Sequence, residues 1–486
     1  MTTIQTLGEL KKSGYKTKSI KEELRDNLVA LIQAKKPTFE GIHGYENSVI
    51  PELERAILSK HNINLLGLRG QAKTRIARQM VNLLDEWIPV VQGSEVNDDP
   101  LSPLSRYAKD LIAEMGDKTP ISWLHRSERF AEKLATPDVT ISDLIGDVDP
   151  IRAANMKLSY ADERVIHFGM IPRANRCIFV INELPDLQAR IQVALFNILQ
   201  EGDIQIRGFQ LRFPLDIQFI FTANPEDYTN RGSIVTPLKD RIGSQILTHY
   251  PESIHIARKI TAQEAKLVGR QKDNIYVPSL AMDIIEQIGF EARESEFIDA
   301  KSGVSARMSI SAFENLISTA ELRSLRAGNV KTTVRLSDFT GIIPALTGKM
   351  ELVYEGEQEG ALFVAEKLIN SAIKTLFESY FPKVEKLEKQ DVKGPYQDIV
   401  DWFFEADEVH LSQEADDATY FAQLDAIEPL EKLIQKYQPR IQNEDKHFLK
   451  EFVLWGLVES KKLSKSAAEN GVSYRDRFGD YMKGSM

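Results

Sequence analysis

The sequence contains a single cysteine, Cys177, among 486 residues, so it cannot form an internal disulfide framework. It has no apolar run as long as a membrane-spanning helix requires, and its start, MTTIQTLGELKKSGYKTKS, lacks the apolar segment of a secretory signal. These absences argue against a secreted disulfide-rich domain and against an integral membrane protein. We therefore expect a soluble cytoplasmic protein in which Cys177 packs within an apolar strand and has no redox role.

The chain also lacks an excess of positive charge. It contains 61 Lys and Arg residues and 71 Asp and Glu residues, which gives a net charge of −10. A protein that binds nucleic acid by neutralising phosphates usually carries a basic surface, so nucleic acid is not the expected ligand. The net charge does not exclude a local basic channel in a ring assembly. The length is too great for one core, and we expect about two to four domains.

Four regions of the chain differ in their patterns. Residues 1–40 are charged and predicted to be a helical N-terminal extension. Within residues 41–255, short apolar runs such as INLLG, RCIFVINE and IQFIFTANP alternate with helical patterns, which predicts an α/β domain with a parallel sheet between helices. Residues 256–380 show helical periodicity throughout. Residues 381–486 are predicted to form a further helical region of unknown role, after the charged joint KVEKLEKQDVKGP.

The stretch from Asp391 to Asp425 is strongly acidic. It contains ten acidic residues and one lysine. The favoured interpretation is a solvated acidic face, and the alternative is a docking surface for a basic partner.

A glycine-bearing loop within INLLGLRGQAKTRIARQMVNLL, from Ile63 to Leu84, is close to the phosphate-binding pattern G-x-x-x-x-G-K-[ST]. In this pattern Lys73 can reach the β- and γ-phosphates, and the Thr74 hydroxyl can ligate Mg²⁺. Ala72 stands where glycine is usual, and its Cβ is costly only if the local φ is positive. Taken alone, the segment could be a strand–turn–helix link that happens to contain Lys-Thr. The candidate binding residues are Gly67, Leu68, Arg69, Gly70, Gln71, Ala72, Lys73, Thr74 and Arg75.

Polar residues follow two further apolar runs. Asn182 and Glu183 end the run CIFVINE, about a hundred residues after the loop, and Glu183 can accept the proton of an attacking water. Asn182 stands where aspartate is usual, and an uncharged amide should weaken Mg²⁺ binding and slow hydrolysis. Asn224, which ends IQFIFTAN, could orient the water beside Glu183. The alternative for Glu183 is an ordinary carboxylate at a strand end.

Two arginines complete the set. Arg241 follows Asp240 in TPLKDRIGSQI, and Arg307 begins a helical pattern in SGVSARMSISAFENL. Each alone would more often be a surface ion-pair partner. The order of phosphate loop, strand acid, polar strand tip and two arginines predicts an ATPase.

These residues resemble the AAA+ ATPases, and more closely the branch that contains the magnesium chelatase ATPase subunit and the MoxR-type ATPases. The resemblance covers roughly residues 40–350, and it is faint beyond 380 and absent before about 35. Its pieces are GIHGYENSVIPELERAIL, DLIGDVDPIRA, GMIPRANRCIFVINELPDL, LQEGDIQIRGFQLRFPLDIQFIFTANPEDY, PLKDRIG and GVSARMSI.

The resemblance implies a P-loop AAA+ sheet followed by an all-helical lid, and ATP with Mg²⁺ held between the subunits of a homo-oligomeric ring, a hexamer. The insert Gly146–Gly169 and the hairpin Asp203–Phe213 would face the pore or a partner. The implied roles are adenine contact for Ile42 and Tyr45, triphosphate and Mg²⁺ binding for Lys73 and Thr74, a metal-associated position for Asn182, catalytic base for Glu183, first sensor for Asn224, contact with the neighbour's γ-phosphate for Arg241, and second sensor for Arg307.

The leading hypothesis is an ATPase that remodels a partner protein, and the resemblance implies a partner with a von Willebrand A domain. The eight histidines are scattered and the chain contains no such domain, so we do not expect it to insert Mg²⁺ into a porphyrin by itself. One alternative is an ATP-gated scaffold with little turnover, which Asn182 favours. Another is a helicase or loader like the minichromosome-maintenance proteins, whose loop also has alanine before the lysine. The role of Arg231, the client and the ring size stay open.

Overall fold

The computed structural model describes residues 4–159, 162–206, 212–225, 233–384, 394–406, 408–468 and 471–476. The chain divides into two compact units, Met1–His249 and Tyr250–Met486. The boundaries that the sequence predicts near residues 40, 255 and 380 stay predictions.

A five-stranded sheet lies at the centre of the first unit. In chain order its strands are β1 (Ile63–Leu66), β2 (Phe130–Leu134), β3 (Cys177–Asn182), β4 (Ile217–Ala223) and β5 (Ser244–Leu247). They lie in the order β5-β1-β4-β3-β2, and every neighbouring pair is parallel. All residues of β1 and β4 are buried, as expected for strands covered on both faces. The predicted parallel sheet is therefore confirmed.

Alternate residues of the central strands enter two separate apolar clusters, because successive side chains of a strand point to opposite faces. Ile178 and Val180 of β3 belong to one cluster, whereas Phe179 and Ile181 belong to the other. The helix Ile20–Gln33, which lies within the predicted N-terminal extension, buries its apolar face in the cluster of Ile178 and Val180.

The remaining elements of the first unit surround this sheet. Its α-helices are Leu7–Lys12, Ile20–Gln33, Val49–Leu58, Lys73–Gln79, Arg106–Met115, Ile141–Leu144, Pro150–Met156, Met170–Arg173, Ala189–Glu201 and Thr236–Arg241, and its 3₁₀ turns are Met80–Leu83, Gly116–Lys118, Arg126–Glu128, Glu163–Val165 and Leu184–Asp186. Three antiparallel pairs join Trp87–Val91 to Ile121–His125, Gly146–Val148 to Ile166–Phe168, and Asp203–Gln205 to Arg212–Pro214. The last pair forms the arms of the predicted hairpin, whose tip at Gly208 lies outside the described residues.

At the amino edge of the sheet, a charged residue directly precedes each of three strands. Arg129 precedes β2 and forms two hydrogen bonds, of 2.7 and 2.9 Å, with the carboxylate of Glu23 in helix Ile20–Gln33. Asp216 precedes β4 and accepts a 2.7 Å hydrogen bond from the backbone N–H of Ile20. Arg176 precedes β3 and donates to the carbonyl of Pro89 at 2.7 Å. This edge therefore anchors the N-terminal helix to the sheet.

Cys177 begins β3 and is 3% exposed. Burial raises the pKa of its thiol to about 12, so the thiol stays protonated at neutral pH and lacks the thiolate that redox chemistry requires. In the described part of the chain, no helix combines the length and the apolar character needed to cross a membrane.

The second unit is mainly helical, and its largest apolar cluster joins four long helices, Ser279–Glu294, Arg307–Arg326, Ala361–Tyr380 and Asn443–Glu459. The shorter helices are Ile254–Glu264, Gly269–Asn274, Leu336–Ile342 (3₁₀), Ile343–Thr347, Tyr354–Glu359, Gln397–Ala406, Asp417–Asp425 and Glu428–Tyr437, and the short strands Ile275–Tyr276 and Thr332–Thr333 pair in parallel.

The sequence analysis missed one feature here, an antiparallel sheet in the order Glu408–Ser412, Gly471–Asp476, Leu463–Ala468. Strands such as LSKSAA carry too few apolar residues to show a period of two.

Part of the acidic stretch pairs with basic residues of the same unit. Asp417 accepts from Arg335 at 2.7 Å and from Arg323 at 3.1 Å. Asp425 pairs with Lys450 at 2.6 Å. Asp417 and Asp425 therefore have basic partners within their own unit. Neither interpretation of the acidic stretch, as a solvated face or as a docking surface, predicted these pairs.

Candidate functional site

The loop between β1 and the helix Lys73–Gln79 contains two residues with left-handed backbone conformation. Gly70 has φ +75°, which glycine adopts without cost. Ala72 has φ +56° and ψ +14°, a conformation that costs an L-residue with a Cβ roughly 1–2 kcal/mol. The structure therefore places the unusual alanine in the conformation where its Cβ is costly. Such strain persists only where the surroundings fix the backbone, and it is common at functional sites.

The ammonium group of Lys73 lies inside this loop. Its side chain is buried, with 8% of the residue exposed, and its Nζ donates to the carbonyl of Leu68 at 3.0 Å and to that of Gly67. It also donates to Oδ1 of Asn224 at 2.8 Å. A buried ammonium within reach of neutral acceptors can exchange them for phosphate oxygens, because a hydrogen bond between charged groups is about twice as strong as a neutral one.

Asn224 connects this lysine to the strand acid. Its Nδ2 donates to Oε2 of Glu183 at 3.0 Å, so one hydrogen-bonded chain runs from Lys73 through Asn224 to Glu183. The three residues follow β1, β4 and β3, and the carboxyl ends of neighbouring parallel strands meet at one edge of the sheet. Glu183 itself has φ +56°. The structure thus brings together three residues that the sequence predicted to act together.

Asn182 and Thr74 are the predicted metal-associated residues. The Asn182 side chain accepts a 3.2 Å hydrogen bond from the hydroxyl of Thr222, which in turn accepts from the backbone N–H of Glu183 at 3.1 Å. Thr74 is exposed at the start of its helix. Both offer neutral oxygen atoms. Mg²⁺ in nucleotide sites commonly keeps several waters and is held by few protein groups together with substrate phosphates, so this donor set fits Mg²⁺ only as part of a nucleotide complex.

The described residues contain no group of three or more His, Cys, Asp or Glu side chains that could hold a metal ion.

The predicted adenine contacts, Ile42 and Tyr45, are both buried. The Tyr45 hydroxyl lies 3.1 Å from the carbonyl oxygen of Gln71 in the loop and 2.7 Å from that of His249. Next to His249, the hydroxyl of Thr248 donates to Oε1 of Gln71 at 2.7 Å.

The sequence analysis missed Thr248 and Thr222. Thr248 directly follows β5 and Thr222 lies near the end of β4, so both belong to the same polar edge as Asn182 and Asn224. A small polar residue at the carboxyl end of a strand is the signal that could have identified them. The sequence alone, however, does not show which strands are neighbours in the sheet.

Arg241 lies at the end of helix Thr236–Arg241. Its guanidinium donates to Oε1 of Gln200 at 2.7 and 3.0 Å and to the carbonyl of Pro237 at 2.7 Å, and its centre is 5.1 Å from the ring of Phe196. Arg307 begins a long helix of the second unit and is exposed. Arg231 lies outside the described residues.

The other loop residues vary in exposure. Gly67 and Gln71 are buried, Leu68, Gly70 and Arg75 are half-buried, and Arg69 is exposed.

Comparison with known families gives one match. Residues 121–242 match the family described as "AAA domain (dynein-related subfamily)". The matched segment contains β2, β3 and β4 with Asn182, Glu183, Asn224 and Arg241, and it begins after the loop that carries Lys73.

Comparison with solved structures gives matches of low sequence identity and low TM-score, of which three are described here. A candidate ATPase from Cytophaga hutchinsonii is 17% identical, with 74% of this chain and 97% of that chain covered and a TM-score of 0.29. The complex of the magnesium chelatase subunits BchI and BchD is 20% identical, with 66% and 98% covered and a TM-score of 0.34. Hsp104 with ATPγS and casein is 14% identical, with 69% and 52% covered and a TM-score of 0.38.

Proposed function

We propose that this chain, whose residues 121–242 match an AAA domain family, is an AAA+ ATPase that binds ATP with Mg²⁺ at the loop Gly67–Thr74 and hydrolyses it. The hydrogen-bonded chain from Lys73 through Asn224 to Glu183 carries the proposal. It connects a phosphate-binding cation to a carboxylate base through one amide, which is the arrangement that positions a water against a γ-phosphate.

The proposed reaction uses these residues with few changes in position. The Lys73 ammonium leaves the carbonyls of the loop and donates to phosphate oxygens, where its charge offsets the negative charge of the transition state. The carboxylate of Glu183, whose orientation Asn224 fixes, accepts the proton of water as the new oxygen–phosphorus bond forms and the bond to the β-phosphate oxygen breaks. Thr74 and Asn182 would hold Mg²⁺ together with phosphate oxygens, and the ion would supply further neutralisation of the phosphate charge.

We place Arg241 at the contact with a neighbouring subunit of a homo-oligomeric ring. Its partners among the described residues are an amide, a carbonyl and an aromatic ring, and each of these uncharged groups can be exchanged for a phosphate. An arginine donated across an interface couples hydrolysis to assembly. The resemblance of residues 40–350 to the MoxR-type branch supports a hexamer and a partner protein with a von Willebrand A domain, which ATP turnover would remodel in the cytoplasm.

An ATP-gated scaffold is the second candidate function. The side chain of Asn182 brings no negative charge to the metal position, and it is already bonded to Thr222. Weak metal binding would leave nucleotide bound with little turnover.

ATPase assays on the purified full chain test the proposal. We expect measurable turnover that Glu183→Gln reduces by about a hundredfold or more while binding of a fluorescent ATP analogue is retained. Glu201→Gln makes the same chemical change at an exposed position and should leave turnover intact. Equal turnover in the wild type and in Glu183→Gln would contradict the assigned base.

Two further measurements separate the alternatives. Tight ATP binding without turnover, even after Asn182→Asp, would support the scaffold. Stimulation of turnover by DNA that falls steeply with salt would support the helicase. For the ring, Arg241→Ala should bind ATP without turnover, and mixing it with Glu183→Gln subunits should restore activity.

A further inference from the structure

We propose that Tyr45, Gln71 and Thr248 form a clamp, the Gln71 clamp, that holds Ala72 in its left-handed conformation and thereby sets the affinity of the loop for a triphosphate. The inference rests on the proposed nucleotide site and assigns positioning roles within it. It explains how this loop functions with alanine where glycine is usual.

The first contact of the clamp holds the side chain of Gln71. The Thr248 hydroxyl donates to Gln71 Oε1 at 2.7 Å, and the backbone N–H of Thr248 donates to the carbonyl of Leu66 at 2.8 Å. Gln71 is 6% and Thr248 is 9% exposed. A hydrogen bond between buried side chains is costly to break, because water does not replace the lost partner.

The second contact holds the main chain of the same residue. The Tyr45 hydroxyl shares its proton between the carbonyl oxygens of Gln71, at 3.1 Å, and His249, at 2.7 Å. The Gln71 carbonyl belongs to the peptide unit that enters Ala72, so its orientation helps to determine φ of Ala72. On the other side, the Ala72 carbonyl accepts from the N–H of Ile76 at 2.9 Å in the first turn of the helix.

The backbone of Gly67 makes room for the first contact. A Cβ on Gly67 would lie 2.0 Å from Thr248 Oγ1 and 2.2 Å from Gln71 Oε1, so any side chain there would separate the two bonded atoms. Glycine at position 67 is therefore needed for the hydrogen bond between Thr248 and Gln71, and it also leaves room for a ligand.

The clamp accounts for the strained alanine. A left-handed residue with a Cβ relaxes unless its neighbours fix the backbone. Gln71 is held by both its side chain and its carbonyl, and Ala72 is held by the helix that follows. If either contact on Gln71 is lost, the peptide before Ala72 can rotate, and the loop leaves the conformation that surrounds the Lys73 ammonium.

Binding of mant-ATP with Mg²⁺ to the full chain tests the clamp through a double-mutant cycle. Thr248→Val keeps the shape of the side chain and removes its hydroxyl, and we expect the Kd to rise about tenfold. The Kd of Ala72→Gly alone is the reference for the cycle, because glycine adopts positive φ without help from the clamp. In the Thr248→Val background, however, Ala72→Gly should recover most of the lost affinity.

Matched variants exclude a general loss of structure. Thr248→Ser restores the hydroxyl and should bind as the wild type does. Thr38→Val removes another hydroxyl bond of the same unit, from Thr38 to Glu54 at 2.7 Å, and should not change the Kd. If Thr248→Val fails to fold, Tyr45→Phe releases the Gln71 carbonyl instead, and the same rescue by Ala72→Gly is expected. Equal effects of Ala72→Gly in both backgrounds would overturn the clamp.

Failure of the clamp can be distinguished from failure of the proposed function. If the wild type binds no nucleotide, the ATPase proposal fails. The clamp is then tested by thermal unfolding without ligand, where it predicts that Ala72→Gly stabilises the wild type more than it stabilises the Thr248→Val protein, because the loop without the clamp has already left the strained conformation. Additive effects on the unfolding midpoint would contradict the clamp regardless of nucleotide.

Discussion

The two edges of the central sheet use polar residues in different ways. At the amino edge, Arg129 and Glu23 form a buried ion pair in which neither side chain is more than 2% exposed. At the carboxyl edge, a hydrogen-bonded chain joins the cation Lys73 to the carboxylate Glu183 through the side chain of Asn224. The amino edge thus has a bidentate ion pair that holds a helix in place, whereas the carboxyl edge has a lysine and a glutamate joined through an amide.

The difference shows how one sheet provides both stability and a site. Paired charges at the amino edge make removal of either partner costly. The carboxyl edge also has left-handed backbone at Ala72 and Glu183, which lowers stability and is typical of functional sites. Substitutions in the ion pair of the amino edge should therefore change folding without changing nucleotide affinity, whereas substitution of Lys73 at the carboxyl edge should mainly change nucleotide affinity.

The largest expected effect is the loss of nucleotide binding in Lys73→Ala. This change removes the only side-chain cation within the hydrogen-bonded chain described above, and the Kd for mant-ATP should rise at least about a hundredfold, since hydrogen bonds between charged groups are the strong ones. Equilibrium titration measures the Kd, and Lys109→Ala, at an exposed position of another helix, is the control. Retained affinity in Lys73→Ala would contradict the loop assignment.

Next in size is the effect of Glu23→Ala on folding. It leaves the Arg129 guanidinium buried without its carboxylate, and the free energy of unfolding should fall by about 3–5 kcal/mol, as measured by denaturant titration. The control, Asp26→Ala, breaks a surface pair with Lys18 in which both side chains are nearly half exposed, and such a pair contributes at most about 1 kcal/mol. If the free energy of nucleotide binding changed as much as the free energy of unfolding, the distinction between the two edges would be contradicted.

Asp216→Asn should reveal a pH dependence at the amino edge. Burial raises the pKa of Asp216 from 3.8 to about 6, so the folded protein binds this proton more tightly than the unfolded chain does. The resulting stability is fully present below pH 4 and is lost as the pH rises through about 6. At pH 7.5 the asparagine variant, which carries no charge and keeps an acceptor for the Ile20 N–H, should be more stable by about 3 kcal/mol.

The gain should disappear near pH 3.5, where Asp216 is protonated in both folded and unfolded states. Denaturant titrations of the two proteins at the two pH values measure this difference. A gain that is the same at both pH values would show that it does not come from ionisation.

The smallest predicted effect concerns Ala72→Gly in the otherwise unchanged chain. Relief of the left-handed strain should gain roughly 1–2 kcal/mol, and the greater freedom of glycine in the unfolded chain should cost about 0.4–1 kcal/mol. We expect a net gain of about 0.5–1 kcal/mol in the free energy of unfolding. Ala77→Gly, a few residues later in the helix, should instead destabilise the protein, because glycine is a poor helix former. Equal losses in both variants would contradict the strain at Ala72.

The sequence identified residues that lie together at the carboxyl edge because the signals for them are local. An apolar run followed by Gly67 and Lys73, or by Glu183, marks the end of a strand, and the parallel topology then brings those ends together. The roles assigned to these residues stay predictions.

Other features depend on contacts between residues far apart in the chain. The pairing of Tyr45 and Thr248 with Gln71, and that of Glu23 with Arg129, follows from the order of strands in the sheet, which no short segment shows. For Ala72 the sequence predicts a cost only if φ is positive, and the sign of φ comes from the structure. The strands near the end of the chain were not predicted, because a polar segment such as LSKSAA pairs through backbone hydrogen bonds and shows no apolar pattern.

The central claim is that the loop after β1 binds a triphosphate through Lys73 while Asn224 and Glu183 stay in place behind it. A crystal structure of the full chain with a non-hydrolysable ATP analogue and Mg²⁺ tests it most directly. The account predicts phosphate oxygens within hydrogen-bond distance of Lys73 Nζ, with Ala72 still left-handed and Glu183 facing the γ-phosphate. A structure in which the analogue binds elsewhere, or in which Lys73 keeps the carbonyls of Gly67 and Leu68 and the loop holds no nucleotide, would contradict it.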